Sequence, residues 1–60
     1  MCIKEKMEQD LRYYTELAKA VKAQADRAYA EEDYDAYDAL YETFAAIDDV
    51  RDALATALGV

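Results

Sequence analysis

Histidine, serine, asparagine, proline and tryptophan are absent from these sixty residues, and glycine and cysteine occur once each, as Gly59 and Cys2. Each absence excludes something. Without an imidazole, no base is available to activate Cys2, Thr15, Thr43 or Thr56 as a nucleophile, and the Glu-x-x-His donors of a di-iron bundle are missing. Asp33 and Asp35 begin an Asp-x-Asp pattern, but Tyr37, Asp38 and Phe44 stand where a calcium loop needs a third oxygen ligand, a glycine and a glutamate. The chain is therefore expected to be no enzyme and to carry no metal or cofactor. A lone thiol closes no internal disulfide, which suits a reducing cytoplasm, and Cys2 is assigned no role. The longest apolar run, Phe44-Ala45-Ala46-Ile47, falls far short of the ~20 residues of a membrane span. Lys4-Glu5-Lys6 leads into no signal-peptide core, so a soluble, untargeted protein is expected.

What remains is charge and alanine. The net charge is −7, and it is unevenly placed. Residues 1–30 carry six bases (Lys4, Lys6, Arg12, Lys19, Lys22, Arg27) against five acids (Glu5, Glu8, Asp10, Glu16, Asp26). Residues 31–60 carry nine carboxylates and one base, Arg51. A concentration of one sign repels phosphate backbones and attracts basic surfaces over about 10 Å at moderate salt.

Thirteen alanines, with Leu, Glu, Lys, Arg and Met, give high helix propensity from end to end, and no proline or glycine interrupts residues 1–58. In the first half Met7, Leu11, Tyr14, Ala18, Val21, Ala25 and Ala28 recur at steps of four and three. In the second, Tyr37, Leu40, Phe44, Ile47, Arg51, Leu54 and Leu58 do the same. These are two apolar seams at the ~3.5-residue spacing of packed helices. Folding the chain back so that paired numbers sum to 65 matches small residues with large ones. Ala28 then meets Tyr37, Ala25 meets Leu40, Val21 meets Phe44 and Ala18 meets Ile47, an alternation that lets layers interdigitate.

The predicted architecture is all-α: one domain, an antiparallel hairpin of helix 1 (about 3–30), a turn (about 31–35) and helix 2 (about 35–58). Glu31-Glu32-Asp33-Tyr34-Asp35 breaks both seams, offers Asp33 or Asp35 as an N-cap, and sits badly at the C-terminal end of a helix dipole. A single helix of about 55 residues in an antiparallel coiled coil has the same seams and is the alternative. Two helices alone enclose little core below roughly 70–80 residues. Ile3, Leu17, Tyr29, Tyr41 and Val50 flank the seams, and their burial against a second copy predicts a homodimeric four-helix bundle. Arg51, a base within a seam, is expected to set its guanidinium on Tyr14 or Asp10.

Opposite its seam, helix 2 places Asp35, Asp38, Glu42, Asp49 and Asp52 on one side with no base among them, and Asp48 joins them at the edge where Tyr34 and Tyr41 lie. Like charges four apart, as in Asp38/Glu42 and Asp48/Asp52, cost a few tenths of a kcal/mol each, so stability alone does not select them. They read either as a solvated face or as a docking surface for a basic partner. Tyrosine beside carboxylate is the composition of an interface rim. The candidate partner-binding residues are thus Tyr34, Asp35, Asp38, Tyr41, Glu42, Asp48, Asp49 and Asp52.

In layout, through its two seams and central turn, the chain resembles the Rop-type plasmid replication regulators. Those are helical hairpins that dimerise into antiparallel four-helix bundles and bind paired RNA loops through their first helices. The resemblance implies an RNA face of Lys4, Arg12, Lys19 and Lys22 beside Tyr13. Glu8, Asp10, Glu16 and Asp26 interleave with those bases, whereas phosphate binding needs bases clustered for counterion release. In size and charge the chain also looks like the compact acidic helical proteins of phages, including nucleic-acid mimics that inhibit host proteins. The leading expectation is a non-enzymatic module occupying a basic surface of a nucleic-acid-binding protein, with no direct nucleic-acid binding. The alternatives are a Rop-like RNA-binding regulator and a purely structural oligomerisation module.

Overall fold

The absence of any breaker before Gly59 leaves the termination of helix 1 to side-chain and cap chemistry, and the computed structural model, which describes residues 2–60, shows where that happens. Helix α1 spans Ile3–Ala30 and helix α2 spans Tyr34–Leu58. They pack antiparallel as a rod of 45 × 15 × 15 Å. The chain is a hairpin and not one long helix. No strand occurs among the described residues.

The turn is tighter than the sequence suggests, occupying residues 31–33. Helix α1 ends in a paired cap: the Glu32 N–H donates to the Tyr29 carbonyl at 3.0 Å and the Asp33 N–H to the Ala28 carbonyl at 2.9 Å. This pattern needs a left-handed residue between helix and exit, ordinarily glycine. Here Glu32 supplies it, at φ 62°. Asp33 then caps α2, its Oδ1 accepting from the Ala36 N–H at 3.2 Å. Of the two expected capping residues it is Asp33 that acts, and Asp35 falls in the first helical turn, where the dipole favours a carboxylate. Cys2 has a role after all: its Sγ accepts from the Glu5 N–H at 3.4 Å as the N-cap of α1. Gly59, at φ 78°, closes α2.

Every residue of both seams is turned inward, buried or half-buried. The fully buried ones are three alanines of α1, Ala18, Ala25 and Ala28, and α2 has none. Small side chains are covered completely by bulky ones, while the bulky ones keep an outer edge in water. The two helices meet at both ends of the rod: near the turn the rings of Tyr29 and Tyr37 approach to 5.2 Å, and at the far end Leu58 and Val60 share a cleft with Lys4, Glu8, Leu11 and Arg12.

Of the five flanking apolar residues, Ile3, Tyr29, Tyr41 and Val50 are exposed, whereas Leu17 is half-buried. They do not share one side. Tyr41 and Val50 stand nine positions apart on α2, about two and a half turns at 3.6 residues per turn, and so lie on opposite flanks. Tyr29 contacts the Tyr41 side through Tyr37. One subunit contact therefore cannot bury all five.

Left-handed backbone at a non-glycine residue costs about 1–2 kcal/mol, partly offset in a glycine variant by the extra entropy of its unfolded chain. Glu32→Gly is expected to raise Tm by about 2–4 °C, and Glu32→Val to lower stability by about 1–2 kcal/mol, in thermal melts at one fixed protein concentration. Ala25 is wholly inaccessible. Ala25→Leu should cost about 1–3 kcal/mol by overpacking, read in the same melts.

Candidate acidic and aromatic interface

Helix α2 repeats a carboxylate or tyrosine every three or four residues on the side away from its seam, and the helical turn turns that spacing into one surface. Tyr34, Asp35, Asp38, Tyr41, Glu42, Asp48, Asp49 and Asp52 form a continuous strip along it. From Asp35 to Asp49 the strip runs about 21 Å at 1.5 Å per residue.

The tyrosines are more organised than single edge residues. Ring centroids follow one another from Tyr34 to Tyr29 at 5.5 Å, Tyr29 to Tyr37 at 5.2 Å, Tyr37 to Tyr41 at 5.6 Å and Tyr41 to Phe44 at 5.6 Å. This five-ring ladder crosses from one helix to the other beside the turn, through edge and tilted contacts that bring positive ring edges to negative faces. Tyr29, Tyr34 and Tyr41 keep 58%, 51% and 44% of their surface exposed, so the ladder both ties the hairpin and offers ring area outward. Tyr29 was expected from sequence to bury against a second copy and was not among the candidate partner-binding residues, because it belongs to the other helix. The signal for the rest of the ladder was there in the four- and three-residue steps from Tyr37 through Tyr41 to Phe44.

The carboxylates divide into two groups. Asp35, Asp38, Glu42 and Asp49 are exposed and make no ion pair among the described residues. Asp48 and Asp52 are engaged by Arg51, whose Nη2 donates to Asp48 Oδ1 at 2.8 Å and to Asp52 Oδ1 at 3.2 Å, with Nε also on Asp48 Oδ1 at 3.0 Å. This corrects two expectations. Arg51 does not reach across to Asp10 or Tyr14, and the acidic strip does contain a base. The reason is reach: Asp48 lies three residues back on the same helix, a spacing that brings side chains together without spanning the seam. The Asp48 carboxylate holds the Arg51 guanidinium above its ordinary range. Asp10 is already occupied by Lys6 at 2.7 Å, and that contact raises the Lys6 ammonium in turn.

Helix α1 is different in kind. Lys19 pairs with Glu16 at 3.5 Å and Lys22 with Asp26 at 3.4 Å, so two of the four bases of an RNA face are partly neutralised by their own helix. Among the described residues no three His, Cys, Asp or Glu side chains converge as a metal site, and no helix is long and apolar enough to cross a membrane.

An unpaired carboxylate beside an exposed phenol ring is a combination that recognises guanidinium, which takes a carboxylate bidentately and stacks its plane on an aromatic face. Free acids at Asp35, Asp38 and Glu42 surround Tyr34 and Tyr41 in this way at the turn end of the strip. The far end, where Arg51 binds two carboxylates, is the weaker attractant.

The ladder makes a stability prediction. Tyr37→Ala, which removes the ring shared by Tyr29 and Tyr41, should cost about 2 kcal/mol in thermal melts, while Tyr13→Ala, outside the ladder, costs under about 1 kcal/mol. Arg51→Leu, which extends the apolar seam at the expense of a half-buried ion-pair cluster, should leave Tm equal to or above that of the wild type.

No protein-family model matches this sequence, and no curated protein and no solved structure matches it significantly.

Proposed function

We propose that the chain is a non-enzymatic, acidic protein-binding module of the cytoplasm. In this reading it works as a homodimeric four-helix bundle and occupies a basic surface of a nucleic-acid-binding protein, as a small inhibitor or nucleic-acid mimic of the phage type does. The observation that carries the reading is the contrast between the two helices. Four exposed carboxylates of α2, Asp35, Asp38, Glu42 and Asp49, have no partner among the described residues, whereas Lys6, Lys19 and Lys22 of α1 are matched by acids four or three residues away.

Physically, the strip would exchange solvated carboxylates for arginine and lysine contacts, with Tyr34 and Tyr41 supplying apolar area at small entropy cost. Long-range attraction between the acidic strip and a basic partner accelerates encounter and weakens with salt. A nucleic-acid-binding partner fits because its site is already built for closely spaced negative charge.

The test is the triple charge reversal Asp38→Lys, Glu42→Lys and Asp49→Lys, used as bait beside the wild type in pull-downs from the source organism's lysate at low and high salt. The captured protein should be lost with the variant, at least 100-fold in titrations of the purified partner, while far-UV circular dichroism keeps the helical signal. Capture that survives the reversal removes the acidic strip from the function. If instead Lys19→Glu with Lys22→Glu abolishes a gel shift with structured RNA, the Rop-like reading replaces this one. If neither change alters any association beyond self-assembly, the chain is a structural oligomerisation module.

A further inference from the structure

Around α2, the flank opposite the tyrosines is uncharged from one end to the other. Ala36, Thr43, Val50 and Ala57 recur every seven residues beside the seam, and Ala39, Ala46 and Ala53 do so one step further out. All seven charged residues of α2 lie elsewhere on its surface. On the neighbouring flank of α1 stand Ile3, Asp10, Leu17 and Gln24, and the one acid there is neutralised by Lys6 at 2.7 Å. The apolar content of this side is exposed or only half covered. Ile3 is 79% and Val50 45% accessible, and Leu17, Val21 and Leu54 are half-buried.

We infer that this alanine-floored side, centred on Ala46, Val50 and Leu17, is the face through which two copies of the chain meet, leaving the tyrosine and carboxylate strip of each copy facing outward. The inference rests on the homodimer proposed above and specifies its geometry. Two arguments select a second copy as the occupant.

The first is charge. In a two-fold dimer a patch meets its own duplicate, so any unbalanced charge is set against itself. Pairing through the strip would set Asp35, Asp38, Glu42 and Asp49 against the same carboxylates of the other copy. For a chain of net charge −7, the side just described avoids that penalty, since its one acid, Asp10, is held in an internal ion pair with Lys6. The second argument is area. A folded monomer of 6.8 kDa is expected to expose about 4,000 Å². This hairpin exposes 4438 Å² and fully buries only three alanines. Among what it leaves accessible are Ile3 and Val50, apolar side chains that a standard contact, about 800 Å² from each partner, would cover. Alanine at five of the seven positions also lets helix backbones approach to the ~8 Å end of the packing range.

A bivalent molecule follows from this geometry. Each dimer carries two outward acidic strips, so a partner that is itself dimeric, or has two basic sites, would be held with gain from effective concentration.

The test uses sedimentation equilibrium of the full chain, with a matched charge placed on each flank. The variant Ala46→Glu with Val50→Glu should weaken self-association at least 100-fold, whereas Tyr41→Glu should change it less than about threefold. A second measurement on the unmutated protein guards against a variant that fails to fold. In NMR spectra of the dimer, a soluble paramagnetic agent should spare the methyl signals of Val50 and Leu17 and broaden the ring signals of Tyr41. The opposite pattern in either experiment, with the wild type still dimeric, overturns the assignment of the face while leaving the dimer standing. A wild type that sediments as a monomer at 100-fold above working concentration overturns the dimer and this inference together.

Discussion

The mesh of alanine against bulky side chains governs this hairpin. Because α1 lines its inner edge with Ala18, Ala25 and Ala28, the backbones can come close, and those three are the residues removed from water completely. The cost falls on α2. Leu40, Phe44, Ile47, Leu54 and Leu58 point inward but cannot be enclosed by side chains shorter than themselves, and each keeps an edge in solvent. A fold of this kind has one shared layer and no interior, so its stability depends on contacts at the edges: the ring ladder at the turn, the paired caps at Glu32 and Gly59, and whatever covers the outer apolar side.

Charge is arranged around that layer with a division of labour. On α1, three of the six bases pair with acids three or four residues away, a pattern that adds a few tenths of a kcal/mol per pair and little else. On α2 the acids have no such counterparts except at Asp48 and Asp52, where Arg51 gathers both. A helix that keeps Asp38 and Glu42 as unrelieved neighbours gives up stability for a field. That field, beside exposed phenol rings at its turn end, attracts cations and repels anions.

Several features were legible without coordinates because they depend only on spacing. All fourteen seam residues face inward, as a repeat of three and four requires, and the half-way break lies among the acids that disfavour a helix C-terminus. The eight strip residues share a surface for the same reason. What spacing could not supply was the choice among candidate partners. Arg51 had Asp48 and Asp52 on its own helix and Asp10 and Tyr14 on the other as candidates, and the local pair won because it needs no span across the seam. The ladder was half hidden, because Tyr29 enters it only once the turn is closed.

Composition and periodicity alone determined that this chain is helical, that it has two matched edges and that one helix bears the acid, since each follows from residue type and a fixed angular step. The tertiary structure alone decided that the reversal is made by Glu32 in a left-handed conformation with Asp33 as cap, and that tyrosines of both helices join into one ladder. Those outcomes rest on where two helices end and how they rotate against each other, and no repeat along a single chain encodes a rotation between two.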